Sequence, residues 1–463
     1  MDDLSFRLRS AATFRGILND LKRNERVAAD ELGIDVGFMT EILDGKRAMP
    51  LDLVRRAASI WPINERDFFP IHDDAPTGIA IMRAQEAART SRVLQRGGRD
   101  YYEYRDTAMS RVAMIRPEWI RMLNVVEDND PLNKAVQWNN GHFLYQFTYF
   151  IGDVNYYYEW EGRKFCQPMS TGDSVFGMPY APHSFSSRDG SSLSLILALT
   201  YGGRLCGDAQ HELAVLGAEA LSRLALPADS SQAMRAAQIR RFVTDKSVSI
   251  AYLAKLMMAP PDEIRTLVDG NGSGEADASQ LSRLAEALGI SARELEPSAL
   301  DVANGVKIMK GTQAATWRFP DEADPSYSIK RLAGSRVVPH SESLELTALK
   351  TESSNDVSTF EVTLHQYGYV VGTSPILLQW ESDATHYQET LFPGDSVYAK
   401  PFVAHRFLKV SGAPDDADGR ILVLRIGGKV VSDVLIEASL VGAPALRRLI
   451  SEKSLWYDPK GRN

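Results

Sequence analysis

Two rhythms alternate along the chain. Between residues 13 and 70 apolar positions recur at helical spacing: Arg26 to Leu32, Gly33, then Val36 to Leu43 closed by Asp44-Gly45 predict helix, tight turn, helix and a glycine stop. This is the pattern of a helix-turn-helix unit. Past the polar, arginine-rich residues 83 to 99, the period shortens. From Tyr101 onward, short β-branched and aromatic runs are broken by Asn, Asp, Gly and Pro. They predict strands over Gln146 to Ile151, Tyr156 to Trp160, Ser174 to Met178 and Leu193 to Tyr201 of an antiparallel β domain.

The second half repeats the first. Gly172-Asp173-Ser174-Val175-Phe176 recurs as Gly394-Asp395-Ser396-Val397-Tyr398, and His183-Ser184-Phe185 as His405-Arg406-Phe407. Leu216 to Leu221 recurs as Val441 to Leu446. A second helical pattern runs through Ile250 to Met257, Pro261 to Val268 and Leu281 to Leu288. The expectation is an α+β chain: helical unit 1-75, β barrel 76-226, helical unit 227-300 and a second barrel 301-463.

Composition narrows the class. A chain of 463 residues with 44% hydrophobic and 24% charged residues reads as several globular units. No apolar run is long enough to cross a bilayer. The acidic start Met1-Asp2-Asp3-Leu4 lacks the basic opening of a secretory signal, so a cytoplasmic protein is expected. Cys166 and Cys206 are too few for a disulfide framework and are read as two buried thiols. A formal net charge of -8 opposes broad phosphate-backbone binding.

Candidate chemistry gathers in Asn139-Asn140-Gly141-His142-Phe143-Leu144-Tyr145-Gln146 and in Gly172 to His183. On a strand, His142 and Gln146 would share one face, and His183 from a later strand could complete a three-ligand set for Fe(II). Fe(II) oxygenases commonly use two imidazoles and a carboxylate. An amide in the third place leaves the site more positive, which suits an anionic substrate that itself chelates the metal. In the second half, aligning Gly152 with Gly372 sets Gln366 against Gln146 and His405 against His183, but Val362 against His142. Valine cannot ligate, so the chemistry is expected in the first barrel. The recurrence of Gln in a copy without the first histidine also admits a structural role for Gln146.

Gly-Asp followed by Pro-x-x-Pro-His resembles the second motif of cupins. A helix-turn-helix unit joined to such a barrel, with Tyr102-x-Tyr104-Arg105, Asn139-x-Gly141-His142 and Pro182-His183, resembles the phosphonate-processing non-haem iron enzymes: hydroxypropylphosphonate epoxidase, hydroxyethylphosphonate dioxygenase and methylphosphonate synthase. The resemblance covers essentially the whole chain and implies tandem cupin barrels, the double-stranded β-helix. In the dioxygenase the third ligand is a Glu six residues before the final His, where this chain has Gly177. Gln146 instead resembles the two-His-one-Gln set of the synthase. The resemblance also implies substrate contacts from Asn139, Tyr102, Tyr104 and Arg96, with Arg99 close enough to exchange with Arg96. Lys22 matches the lysine of the family's helical unit, with Ser247 in its place in the repeat. Thr200 adds a candidate hydroxyl.

The implied activity is cleavage of 2-hydroxyethylphosphonate by Fe(II) and O2 to methylphosphonate and carbon dioxide or bicarbonate, in a homo-oligomer. The nearest alternative gives hydroxymethylphosphonate and formate. A helix-turn-helix/cupin transcription regulator is a different class. It would need base-reading residues on the second helix, and Val36 to Glu41 holds no Arg or Lys, which argues against DNA binding. A sugar- or acid-binding cupin without redox chemistry would bind its ligand with the metal removed.

Overall fold

A computed structural model describes residues 4–457 apart from 191–192, 225–230, 272–276, 297–299, 355, 413 and 415–417. Two seven-stranded and two three-stranded antiparallel sheets dominate it. The first large sheet runs Val306–Met309, Ser174–Gly177, Tyr145–Ile151, Leu195–Tyr201, Ile115–Met122, Arg99–Asp106, Arg92–Arg96. Facing it are Arg163–Met169, Val154–Trp160 and His183–Ser187. The second large sheet has the order Ile79–Met82, Ser396–Ala399, His365–Val370, Arg420–Ile426, Ser341–Ala348, Tyr327–Arg331, Thr316–Phe319. Its companion is Thr385–Leu391, Ile376–Ser382, His405–Lys409. Each large sheet with its companion makes a cupin-like barrel.

Strand alternation decides which side chains meet. Along Tyr145–Ile151, the side chains of Gln146, Thr148 and Phe150 share one face, and Phe150 joins Ile120, Tyr156, Phe185 and Ile196 inside the first barrel. Phe147 and Tyr149 face the other way. They enter a core that also holds Tyr367, Tyr398, Leu422 and Leu424 of the second barrel. With both faces buried, the strand reads as an almost continuous apolar run rather than an alternation.

Each barrel is completed by the other half. Ile79–Met82 pairs with Ser396–Ala399, and Val306–Met309 pairs with Ser174–Gly177. Barrel membership therefore departs from the linear boundaries at 76 and 301; the boundary near 227 lies outside the described residues. Beyond Val306–Met309, Lys310 Nζ and Gly311 N donate to Asp173, each at 2.8 Å. Beyond Ile79–Met82, Arg83 Nη1 and Ala84 N donate to Asp395 at 2.9 and 2.8 Å. Ser174 Oγ accepts from Ala333 N and Ser396 Oγ from Ala108 N. The repeated Gly-Asp-Ser thus anchors the exchange.

The first helical cluster comprises Leu4–Asp20, Glu25–Leu32, Val36–Leu43 and Leu51–Ile60 around Phe14, Leu18, Leu32, Met39, Val54 and Trp61. Asn24 caps the second helix by accepting from Val27 N, and Gly33 ends it at φ 62°. Ser231–Asp245, Ile250–Met257, Pro261–Asp269 and Ala278–Leu288 pack around Ile239, Leu253, Ile264 and Leu284. The polar stretch 83 to 99 holds the helix Ala84–Arg89 and the edge strand Arg92–Arg96. Cys206 is buried as expected, whereas Cys166 is partly exposed. No described helix is long and apolar enough to cross a membrane.

Candidate metal centre

Two loops clasp at the mouth of the first barrel. Tyr180 N donates to His142 O at 2.8 Å and Asn139 N to His183 O at 3.2 Å. Asn139 Oδ1 accepts from His183 N and Gly141 N, at 2.8 and 3.0 Å. Gly141 has φ 72°, and a Cβ there would lie 2.5 Å from the Tyr180 carbonyl carbon. Asn-x-Gly-His is therefore a geometric unit: Asn ties the loops, Gly lets them touch, and His is presented inward.

His142 precedes the bend at residues 143 and 144 that leads into the strand at Tyr145, so strand parity does not bring it to Gln146. The turn does. His142 Nδ1 donates to Leu144 O at 3.0 Å, and Nε2 lies 2.8 Å from Gln146 Oε1. Gln146 Nε2 donates to Thr148 Oγ1 at 2.8 Å, so Oε1 is an acceptor. Either a proton on Nε2 or a shared metal ion can join these two atoms, and the donor types suit a metal. His183 stands at the start of its strand with Nδ1 donating to Ala181 O at 2.9 Å, and its ring centre is 5.3 Å from that of His142. Its Nε2 accepts from Asn139 Nδ2 at 3.0 Å. Burial, with His142 and Arg96 adding to it and the Ala181 carbonyl opposing, pushes the His183 imidazole down to about 4. It is neutral at pH 7, as a ligand must be.

Register places the other groups. Gly177, Gln146, Thr200 and Arg116 lie side by side across four strands. Thr200 is thus beside Gln146, its hydroxyl donating to Arg116 O at 3.0 Å. The next row is Val175, Thr148, Ala198, Glu118 and Asp106. Burial raises the Glu118 carboxyl, against the attraction of Arg92, whose Nη2 is 3.2 Å away. Thr148 and Glu118 were not anticipated from sequence; for Thr148 the i+2 spacing from Gln146 was the available signal.

Arg96 donates from Nη1 to Gln137 O at 3.1 Å and lies 4.8 Å from the Tyr102 ring centre. Tyr104 is beside it, partly buried. Tyr102 departs from expectation: it is buried, and its hydroxyl is committed to Phe185 O and Phe185 N at 3.1 and 2.8 Å. Lys22 is not brought to this cluster by its own chain; Nζ donates to Asn19 O at 3.0 Å and lies 5.2 Å from the Trp456 ring centre. Among the described residues, no group of three His, Cys, Asp or Glu could hold a metal.

The class defined so far is a paired cupin-like barrel protein with two imidazoles and an amide converging in one barrel. No family model matches the chain. Methylphosphonate synthase of Nitrosopumilus maritimus (strain SCM1) is 41% identical over 461 residues, 99% of this chain and 98% of that protein. The solved structure of Streptomyces albus HEPD, with 2-hydroxyethylphosphonate and Fe(II) bound, is 42% identical with a TM-score of 0.91, covering 98% of this chain and 99% of that one. Native PhpD with cadmium shares the fold at 18% identity and a TM-score of 0.72, over 96% and 99% of the two chains. The chain belongs to the methylphosphonate synthase and 2-hydroxyethylphosphonate dioxygenase (HEPD) family.

Proposed function

We propose that the chain is a non-haem Fe(II) oxygenase that cleaves the carbon–carbon bond of 2-hydroxyethylphosphonate with O2, giving methylphosphonate, carbon dioxide (or bicarbonate) and water. The observation that carries this reading is the donor set: Gln146 beside His142 and His183, with Gly177 where the dioxygenase-type carboxylate would stand. His142, Gln146 and His183 would hold Fe(II). Bound there, it supplies a Lewis-acid and redox centre for an anionic substrate and O2. The substrate provides all four electrons, so no external reductant is needed.

The chain's own residues bind and orient. A metal that takes the His183 Nε2 lone pair leaves the Asn139 Nδ2 N–H free to donate to a phosphonate oxygen. Arg96 is held on the Tyr102 face by its bond to Gln137 O and also hydrogen-bonds the Tyr104 side chain, so its remaining N–H groups and the Tyr104 hydroxyl can meet the oxyanion together. Tyr102 supports that stack rather than reaching substrate. Thr200 borders Gln146 and limits the space beside it. Lys22 would act on a partner's site in a homo-oligomer; within its own chain it meets Asn19 and Trp456 instead. The tandem division into two helical units and two cupin barrels belongs to the same reading, supported by equal strand orders and by matching turns at Lys22 (φ 57°) and Ser247 (φ 54°).

The near-equal identity to Streptomyces albus HEPD favours a second reading, in which the products are hydroxymethylphosphonate and formate. Phosphorus NMR of anaerobically Fe(II)-loaded protein given 2-hydroxyethylphosphonate and O2 separates them. A methylphosphonate resonance supports the proposal; hydroxymethylphosphonate as sole product sinks it.

A further inference from the structure

The second barrel repeats the frame of the first site. Phe402 N donates to Val362 O at 2.8 Å, as Tyr180 N does to His142 O; Phe360 N donates to His405 O at 2.8 Å, as Asn139 N does to His183 O. His405 Nδ1 donates to Val403 O at 2.8 Å, the counterpart of His183 and Ala181. Gln366 pairs across to Ala399 and Arg425, where Gln146 pairs with Gly177 and Thr200. Arg425 therefore stands where the first barrel has Thr200.

Its side chain points at the group that Thr200 leaves alone. Arg425 Nε donates to Gln366 Oε1 at 2.9 Å, and Gln366 Nε2 meets His405 Nε2 at 3.2 Å. The guanidinium carbon is 5.0 Å from the ring centre of Phe360, and Nη2 is buried with no hydrogen-bond partner. Arg425 is partly buried, and Glu342 is its cross-strand neighbour and supplies a favourable charge. Its hydrogen bond nevertheless goes to an amide oxygen whose counterpart in the first barrel faces His142 Nε2.

We infer that Arg425 is a built-in cation occupying the metal position of the second barrel, holding Gln366 and His405 in ligand-like poses and excluding Fe(II) from that half. The inference rests on the first barrel being the metal site. The positive charge also acts on His405, whose imidazole is held at about 4 by burial with Arg425 adding to it. Two changes, Val362 for His and Arg425 for Thr, then separate a metal barrel from a metal-free one. Val362 is only partly buried, so a histidine can be placed there without emptying the core.

The test counts iron per chain after anaerobic Fe(II) loading and gel filtration of the full-length protein, with melting temperature followed in parallel. The unchanged protein should hold one iron and H142A none; that arm alone judges the first-barrel reading. V362H should stay at one, V362H/R425T should rise to two, and H142A/V362H/R425T should return to one. R425T alone should melt lower, and Fe(II) should raise the melting point of V362H/R425T above that of R425T. V362H/R425S provides a second replacement should the threonine variant fold poorly. A second iron in V362H alone, or a folded double variant that never exceeds one, overturns the inference.

Discussion

Gln146 and Gln366 occupy the same register position, yet their hydrogen bonds assign them different work. Gln366 passes a guanidinium's hydrogen bond to an imidazole and so is a link in a closed chain. Gln146 is braced by Thr148 and presents its oxygen to His142 Nε2. The recurrence of Gln in the copy thus leaves ligation by Gln146 open and accounts for itself through Arg425. Thr148→Val removes the brace while keeping shape, and should weaken Fe(II) binding about tenfold or more with little change in melting, as loss of a ligand's hydrogen-bond partner generally does; anaerobic titration with a competing chelator reads this. An unchanged affinity would mean that the amide orients itself. At this scale the sequence was informative where residues are close in the chain: His142, Gln146, Asn139 and the Pro-His pair were legible as motifs. Glu118 and Arg92 were not, because a cross-strand row assembles residues from separate strands and no spacing along the chain encodes it.

The strands themselves were largely readable from their aromatic and β-branched runs, and their exchange was not. Val306–Met309 is four residues long and pairs with a strand more than a hundred residues earlier, so nothing local distinguishes it from a linker. What makes its entry possible is Gly305, at φ 75°, where a Cβ would lie 2.0 Å from Trp160 Cε3 of the other half. An indole ring locked in a sheet cannot yield as a flexible chain end would. Gly305→Ala should therefore destabilise the protein by about 2 kcal/mol or more, through φ strain and steric conflict together. Chemical denaturation measures it. Gly305 O also accepts from Met178 N at 2.9 Å, at the start of the loop that presents His183. The same variant should therefore lower iron retention, whereas Gly162→Ala, in a turn with open space around the added Cβ, should not.

Across the whole molecule, the two barrels share one core, so the protein should unfold as a coupled unit rather than barrel by barrel. Its pH dependence has a stated sign. Burial depresses both His365 and His405 to about 4. In the unfolded chain they titrate near the ordinary value of about 6.5. Between those values the unfolded chain binds protons that the fold refuses, so stability falls as pH drops from about 6.5 toward 4, and neither group contributes a slope above that window. Melting temperatures of the iron-free protein across pH 4 to 8 should show this decline, and His365→Gln should flatten it. A flat profile in the unchanged protein would contradict the assignment.

The exchanged strands carry one more consequence. Were the chain cut between its halves, each barrel would lack an edge and would have to take it from another molecule, the situation of a domain-swapped dimer. Here both partners are joined on one polypeptide. Whatever chemistry the second half carries, it cannot be discarded, because Val306–Met309 closes the sheet beside Gln146 and Lys310 clasps Asp173. The second barrel persists as the permanent swap partner of the first.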